Sequence, residues 1–216
     1  MKPGALVFAA ALLAAFPSPS PGQIAVRGGV QIARAEHRVV DAGMLVASSG
    51  TLFGGTLVLT IGRRYEIQGE ALGGRLTAGS TSLEDHDLAE AHLLGGMKLR
   101  PWLTLQSGLS VRNYSNALAR QHWTLWRIGA ETRVPLGFEG VSAVIRGYWV
   151  PMVHVSGLPR PDVALAAGAG MDWQGRRINV SALYSFDRYD FPPAQGSRRL
   201  EALSGLRIRV AIRWPA

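Results

Sequence analysis

Beyond residue 22 the chain alternates, almost without break, between apolar and polar positions. A period of two marks strands with one greasy and one wet face. Glu66, Gln68 and Glu70 share one face opposite Tyr65, Ile67 and Ala71, and Arg127, Glu131 and Arg133 oppose Trp126, Ile128 and Val134. Glu90, His92 and Lys98 likewise oppose Ala89, Ala91, Leu93 and Met97. The same reading sets Asn179, Ser181 and Asp187 against Ile178, Val180, Tyr184 and Phe186. Strands are predicted near 23–35, 51–62, 65–78, 87–99, 102–113, 122–134, 141–156, 162–173, 177–188 and 199–214. No sustained helical stripe and no solenoid repeat interrupts them.

The predicted connections alternate between long and short. Short ones fall at 63–64, 100–101, 135–140 and 174–176, and long ones at 36–50, 79–86, 114–121, 157–161 and 189–198. Both chain ends then lie at the short-turn rim. An even number of antiparallel strands, with tight turns at one end and longer loops at the other, is the layout of a transmembrane barrel. The expected fold is therefore all-β: one up-and-down antiparallel transmembrane barrel of about ten strands, with eight as the alternative if the weakest strands drop out.

Alternation alone leaves open which face looks inward. A lipocalin-like carrier would bury the apolar face, whereas a membrane barrel would turn it to lipid. Aromatic placement favours lipid. Tyr65, Trp102, Phe138, Trp173 and Trp214 fall one per short turn plus one at the C-terminus, a girdle at the level where amphipathic rings sit between water and acyl chains. Phe53, Trp126, Trp149, Tyr184 and Phe186 lie toward the opposite strand ends. The polar face then lines a lumen holding Arg27, Glu66, Glu70, Glu90, Lys98, Arg127, Glu131, Arg133, Arg146, Asp172, Glu201, Arg207, Arg209 and Arg213. Both signs occur, so a salt-bridged plug is the expected state of a barrel this narrow. A narrow polar pathway is the functional alternative.

On this pattern the chain resembles bacterial outer-membrane β-barrel proteins, the small OmpA-like and OmpX-like kind, over residues 23–216. The resemblance implies an outer-membrane location in contact with lipid and lipopolysaccharide, and a monomer. It also implies recognition of a C-terminal strand by the barrel-assembly machinery. Leu206, Ile208, Val210, Ile212 and Trp214 match that assembly signal, although Pro215 and Ala216 follow the aromatic that usually comes last. Residues 1–22 read as a signal peptide: Lys2 leads an apolar run of 5–16, and the small residues Ser20 and Gly22 precede a cleavage site before Gln23. The run is shorter than the roughly 17–25 residues of a membrane anchor.

Composition adds exclusions. There is no cysteine, which removes thiolate catalysis and Cys-based zinc sites. Charged residues make up only 18% of the chain, which argues against disorder and coiled coils. The net charge of +8 would suit nucleic acid, but the arginines alternate with Ile208 and Val210 and do not form a patch. No nucleic-acid partner and no cofactor is expected. Glu84-Asp85-His86-Asp87 is the densest set of metal-ligand types, at a spacing that matches no defined loop, so it reads as a solvated loop. His154-Val155-Ser156 partly matches the His-x-Ser-Asn motif of outer-membrane lipid A deacylases. Gly157 replaces the Asn, however, and no Glu follows before Glu201. A lipid hydrolase using His154 and Ser156 is therefore kept as the alternative to a non-enzymatic barrel with a structural, binding or limited permeation role.

Overall fold

The computed structural model describes residues 24–79, 85–116, 120–193 and 197–214. The expected signal peptide, Glu84, Pro215 and Ala216 lie outside the described residues. Ten antiparallel strands form a closed barrel: β1 (Ile24–Asp41), β2 (Met44–Ile61), β3 (Tyr65–Ala78), β4 (His86–Arg100), β5 (Leu103–Ser115), β6 (Arg120–Pro135), β7 (Val141–Val155), β8 (Val163–Gln174), β9 (Ile178–Asp190) and β10 (Arg199–Trp214). Each strand pairs with its neighbour in sequence, and β1 closes the ring against β10 from Val26↔Trp214 to Asp41↔Arg199. Closure gives every strand a partner on both sides, except that β7 beyond Trp149 pairs with β6 alone.

One expected connection is wrong. Residues 36–50 are not a long loop: β1 and β2 run on to a two-residue turn at Ala42 and Gly43, with φ of 49° and 80°. Paired positive φ values are what a tight hairpin with native twist requires. Only Gly adopts them without cost, and an Ala-Gly pair lacks the usual Asn-Gly or Asp-Gly signature.

The alternation also reverses part-way up the wall. At the short-turn end apolar residues face out, with Leu206, Ile208, Val210 and Ile212 each 43–49% exposed. Toward the long-loop end Arg34, Arg75 and Arg188 face out, while Leu72, Leu76, Leu88, Leu125 and Leu203 are buried inside with Trp123 and Tyr189. That upper section is built like a water-soluble barrel, wet outside and dry within. Polar outward residues therefore made the upper part of β1 and β2 resemble a loop.

Between the pairs Trp126↔Met152 and Ile128↔Trp149 the register shifts, so that two residues of β7, Val150 and Pro151, stand against the single Arg127 of β6. Pro151 occupies the bulge, where a missing N–H costs nothing. Below it Val144, Arg146 and Tyr148 face the lumen; above it Val153 and Val155 do. The bulge therefore sends His154 to the outside.

Candidate functional site

The lumen is the candidate site, and it is layered. Nearest the short turns, Arg133 of β6 lies 2.7 Å from Asp172 of β8 and 2.7 Å from Glu131, and Arg146 of β7 lies 2.8 Å from Glu131. Asn179 donates to Asp172 at 2.8 Å. Lys98 reaches Glu66 at only 3.9 Å. Arg27 and Arg213 face each other across the β1–β10 seam, and neither has an ion-pair partner within 4.0 Å among the described residues.

One level higher, Arg207 and Arg209 both grip Glu70 across two intervening strands. Gln68 also donates to Glu70, and the Tyr148 hydroxyl donates to Gln106, which in turn donates to Glu66 at 3.4 Å. Apart from Gln68 and Glu70, both on β3, these side chains bridge strands that are not neighbours and so tie separate parts of the wall together across the lumen.

The next layer is tightest. Arg112 of β5 donates to Glu90 and to Asp187, each at 2.6 Å, and Arg127 of β6 reaches the same Asp187 oxygen at 2.7 Å. His92 adds a 3.2 Å approach to Glu90 and a 2.7 Å hydrogen bond with Ser110. Tyr189 donates to Asp187 at 3.2 Å. Arg112 keeps only 1% of its surface. Buried charges persist only when paired and hydrogen-bonded, and two guanidinium forks on two carboxylates meet that condition.

Above this layer the lumen turns apolar and aromatic. Trp123 is fully buried, with ring centroids 4.9 Å from Tyr189, 6.0 Å from Phe191 and 6.4 Å from Tyr114. At the rim His37 stacks on Tyr114 at 4.4 Å and approaches Glu201 at 3.6 Å, while Arg199 joins Glu201 to Asp41.

Arg112 and Asp187 were absent from the sequence-derived charge set, although they are its central nodes. Arg112 shares its face with Thr104, Gln106, Ser110 and Tyr114 in an alternation that would have pointed it inward. Asp187 stood on the polar face of its strand without being counted.

Outside, Trp102, Phe138, Trp173 and Trp214 are 44–74% exposed at the short-turn end, and Tyr65 beside them is half-buried. Phe53, Trp126, Trp149, Tyr184 and Phe186 are exposed on the apolar exterior. So broad an apolar exterior around a charged interior suits a hydrocarbon surrounding and not water. The fold is that of an outer-membrane β-barrel. Among solved structures it is similar to the outer membrane protease OmpT from Escherichia coli, with a TM-score of 0.61, 9% identity, and 93% of this chain and 99% of that chain covered. The translocator domain of the autotransporter NalP from Neisseria meningitidis aligns at a TM-score of 0.42 and 15% identity, over 98% and 96% of the two chains. Neisserial surface protein A aligns at 0.39 and 10%, over 86% and 96%. At these identities the likeness is one of fold alone. No family model and no curated protein matches the chain.

The remaining candidates separate. Asp85 pairs with Arg75 at 3.3 Å, His86 turns toward Ser48 and the His37–Tyr114 stack, and Asp87 is exposed. No group of three or more metal-ligand residues forms among the described residues. Ser156 Oγ accepts from the His122 backbone N–H at 2.8 Å, and no hydrogen bond joins it to His154 among the described residues.

Proposed function

We propose that the chain is an integral outer-membrane barrel that does not conduct, its lumen closed by the Arg112–Glu90–Asp187–Arg127 cluster and capped by Trp123, Tyr189 and Phe191. The observation carrying this reading is the pairing of two opposed seals. A cross-lumen charge cluster with no spare carboxylate lies directly beneath an aromatic plug. A hydrated ion entering from the long-loop end would have to part the packed rings of Trp123, Tyr189 and Phe191 and then compete with fork-shaped ion pairs. The role that follows is a rigid membrane-embedded scaffold, non-enzymatic, that presents its ends for binding. His154 points away from the lumen and makes no hydrogen bond to Ser156 among the described residues, which supports the non-enzymatic reading over a hydrolase built on that base–nucleophile pair.

The same reading takes residues 1–22 as the export signal, Trp214 and the outward residues of β10 as the assembly signal, and the membrane lipids as neighbours of a monomer. The decisive experiment is refolding of the mature chain into planar bilayers. A silent membrane, from protein whose gel mobility shifts on boiling, is the expected result. Reproducible conductance steps would overturn the closed lumen.

A further inference from the structure

The charged layers are not balanced along the axis. In the upper layer Arg112 and Arg127 meet Glu90 and Asp187 one for one. In the chamber below, Arg27, Arg133, Arg146, Arg207 and Arg209 line a cavity of ≈ 40 Å³. Among the described residues the carboxylates in its wall are Glu66 and Asp172, the latter already paired with Arg133, and Glu70 and Glu131 are shared between pairs of those arginines. Lys98 and Arg213 add further positive charge toward the mouth, where the Lys98 and Arg133 side chains keep 36% and 31% of their exposure. A second, independent observation lies in the same wall. Thr56 is 8% exposed, lines this cavity, and its hydroxyl has no hydrogen-bond partner among the described residues. The Nε groups of Arg207 and Arg209 are likewise buried and unpartnered.

We propose that this chamber is a blind-ended binding site for a small phosphate-class oxyanion, entered from the short-turn rim. The inference rests on the closed-lumen reading, because the seal above turns a cationic passage into a cationic pocket. An unpaired guanidinium such as that of Arg27, in a confined space, is stabilised by an anion that accepts several hydrogen bonds at once. A tetrahedral oxyanion offers oxygens to the free fork of Arg27, to Arg209 and to the Thr56 hydroxyl together, which a halide does not. The space fits: a water needs roughly 10–15 Å³ by this measure, so the cavity holds a group the size of a few waters. Glu66 and Asp172 on the same wall keep the affinity modest and the site reversible.

The test is isothermal titration of inorganic phosphate into the refolded full barrel in zwitterionic detergent, with sodium chloride as the competing salt. Wild type is expected to bind phosphate saturably and more weakly as salt rises. Arg27→Gln, which breaks no ion pair, is expected to weaken binding about tenfold, the loss of one hydrogen bond to a charged group. Thr56→Val removes only the hydroxyl, is expected to weaken binding severalfold, and serves as the readout if Arg27→Gln fails to show the folded gel mobility. No saturable binding by wild type, or wild-type affinity in whichever of these variants folds, overturns the site. Bilayer recordings on the same preparation keep the two readings apart. A conducting barrel that still binds phosphate overturns the seal alone, and a silent barrel that ignores phosphate overturns the anion site alone.

Discussion

Arg112 on β5 and Asp187 on β9 stand 75 positions apart in sequence, with three strands between them around the wall, yet Nη2 and Oδ2 are 2.6 Å apart. A bond between neighbouring strands would only reinforce a ladder that already exists. This one is a chord through the lumen, so it resists ovalisation of the barrel and, in the proposed closed lumen, would also resist passage of solute. Asp187 also carries Arg127, so its removal strips both guanidinium groups of an anion at once, leaving Glu90 at 2.6 Å from one and 4.0 Å from the other. Asp187→Ala is expected to cost about 3–5 kcal/mol, the range for breaking a buried pair while its partner charge stays buried. Urea unfolding of the lipid-inserted barrel measures it. A loss below about 1 kcal/mol, the surface-pair range, would mean that water already fills this layer.

Trp123 provides the complementary test from the apolar side of the seal. Truncation to Ala empties the centre of the ring cluster formed with Tyr114, Tyr189 and Phe191. The expected cost is about 3–5 kcal/mol, as for large aromatic deletions in cores. Trp123→Ala alone is expected to stay non-conducting, since the Arg112 layer remains. Combined with Asp187→Ala it is expected to produce conductance steps. Full conductance from the Trp123 variant alone would place the whole seal in the aromatic cluster.

The strand count, the antiparallel order and the inward or outward sense of the lower half were legible because lipid and lumen impose opposite demands on alternate residues. Ile208 and Arg209 show that contrast in a single step. Toward the long-loop end the contrast inverts: Arg34, Glu36 and Arg38 on the outside of β1 look like a polar loop when only the hydrophobic rhythm is followed. The bulge at Pro151 was invisible for a related reason. An added residue changes the face of everything beyond it without changing the local composition. Chords such as Arg112–Asp187 and Arg207–Glu70 depend on the curvature of the closed wall, which no local pattern encodes.

Orientation of the lower wall is tested by neighbours on β10. Ile208 is 45% exposed on the apolar exterior, and Ile208→Arg is expected to cost roughly 2–4 kcal/mol near the bilayer midplane. Arg209→Gln faces the lumen and leaves Glu70 still held by Arg207, so its cost is expected to be the smaller. Equilibrium unfolding in one lipid, with both variants measured side by side, decides it. The reverse ranking would mean that the apolar face is not the lipid face.

His154 and Ser156 give a prediction about chemistry. His154→Ala and Ser156→Ala are each expected to leave the acylation pattern of lipid A unchanged in mass spectra of expressing cells. Loss of an acyl-chain product on either substitution would restore a hydrolase reading in which the two side chains meet only with substrate bound.

Trp214 closes the wall as well as ending the strand. It pairs with Val26 across the seam, and its ring covers Gly28, where an added Cβ would sit 2.8 Å from Trp214 Cζ3. A structural role in the seam and recognition by the assembly machinery therefore make different predictions for Trp214→Ala. If the ring only packs, the variant slows unaided refolding into liposomes and machinery-assisted insertion by the same factor. If it is also read as a signal, assisted insertion slows by several times more than unaided refolding, and that is the expected result. Gly28→Ala supplies the control, because it pushes the ring aside without removing it: unaided closure is expected to slow, while the ratio of assisted to unaided rates stays near that of wild type. Equal slowing of both routes by Trp214→Ala would confine the residue to the seam and leave the assembly signal to the outward aliphatic residues of β10.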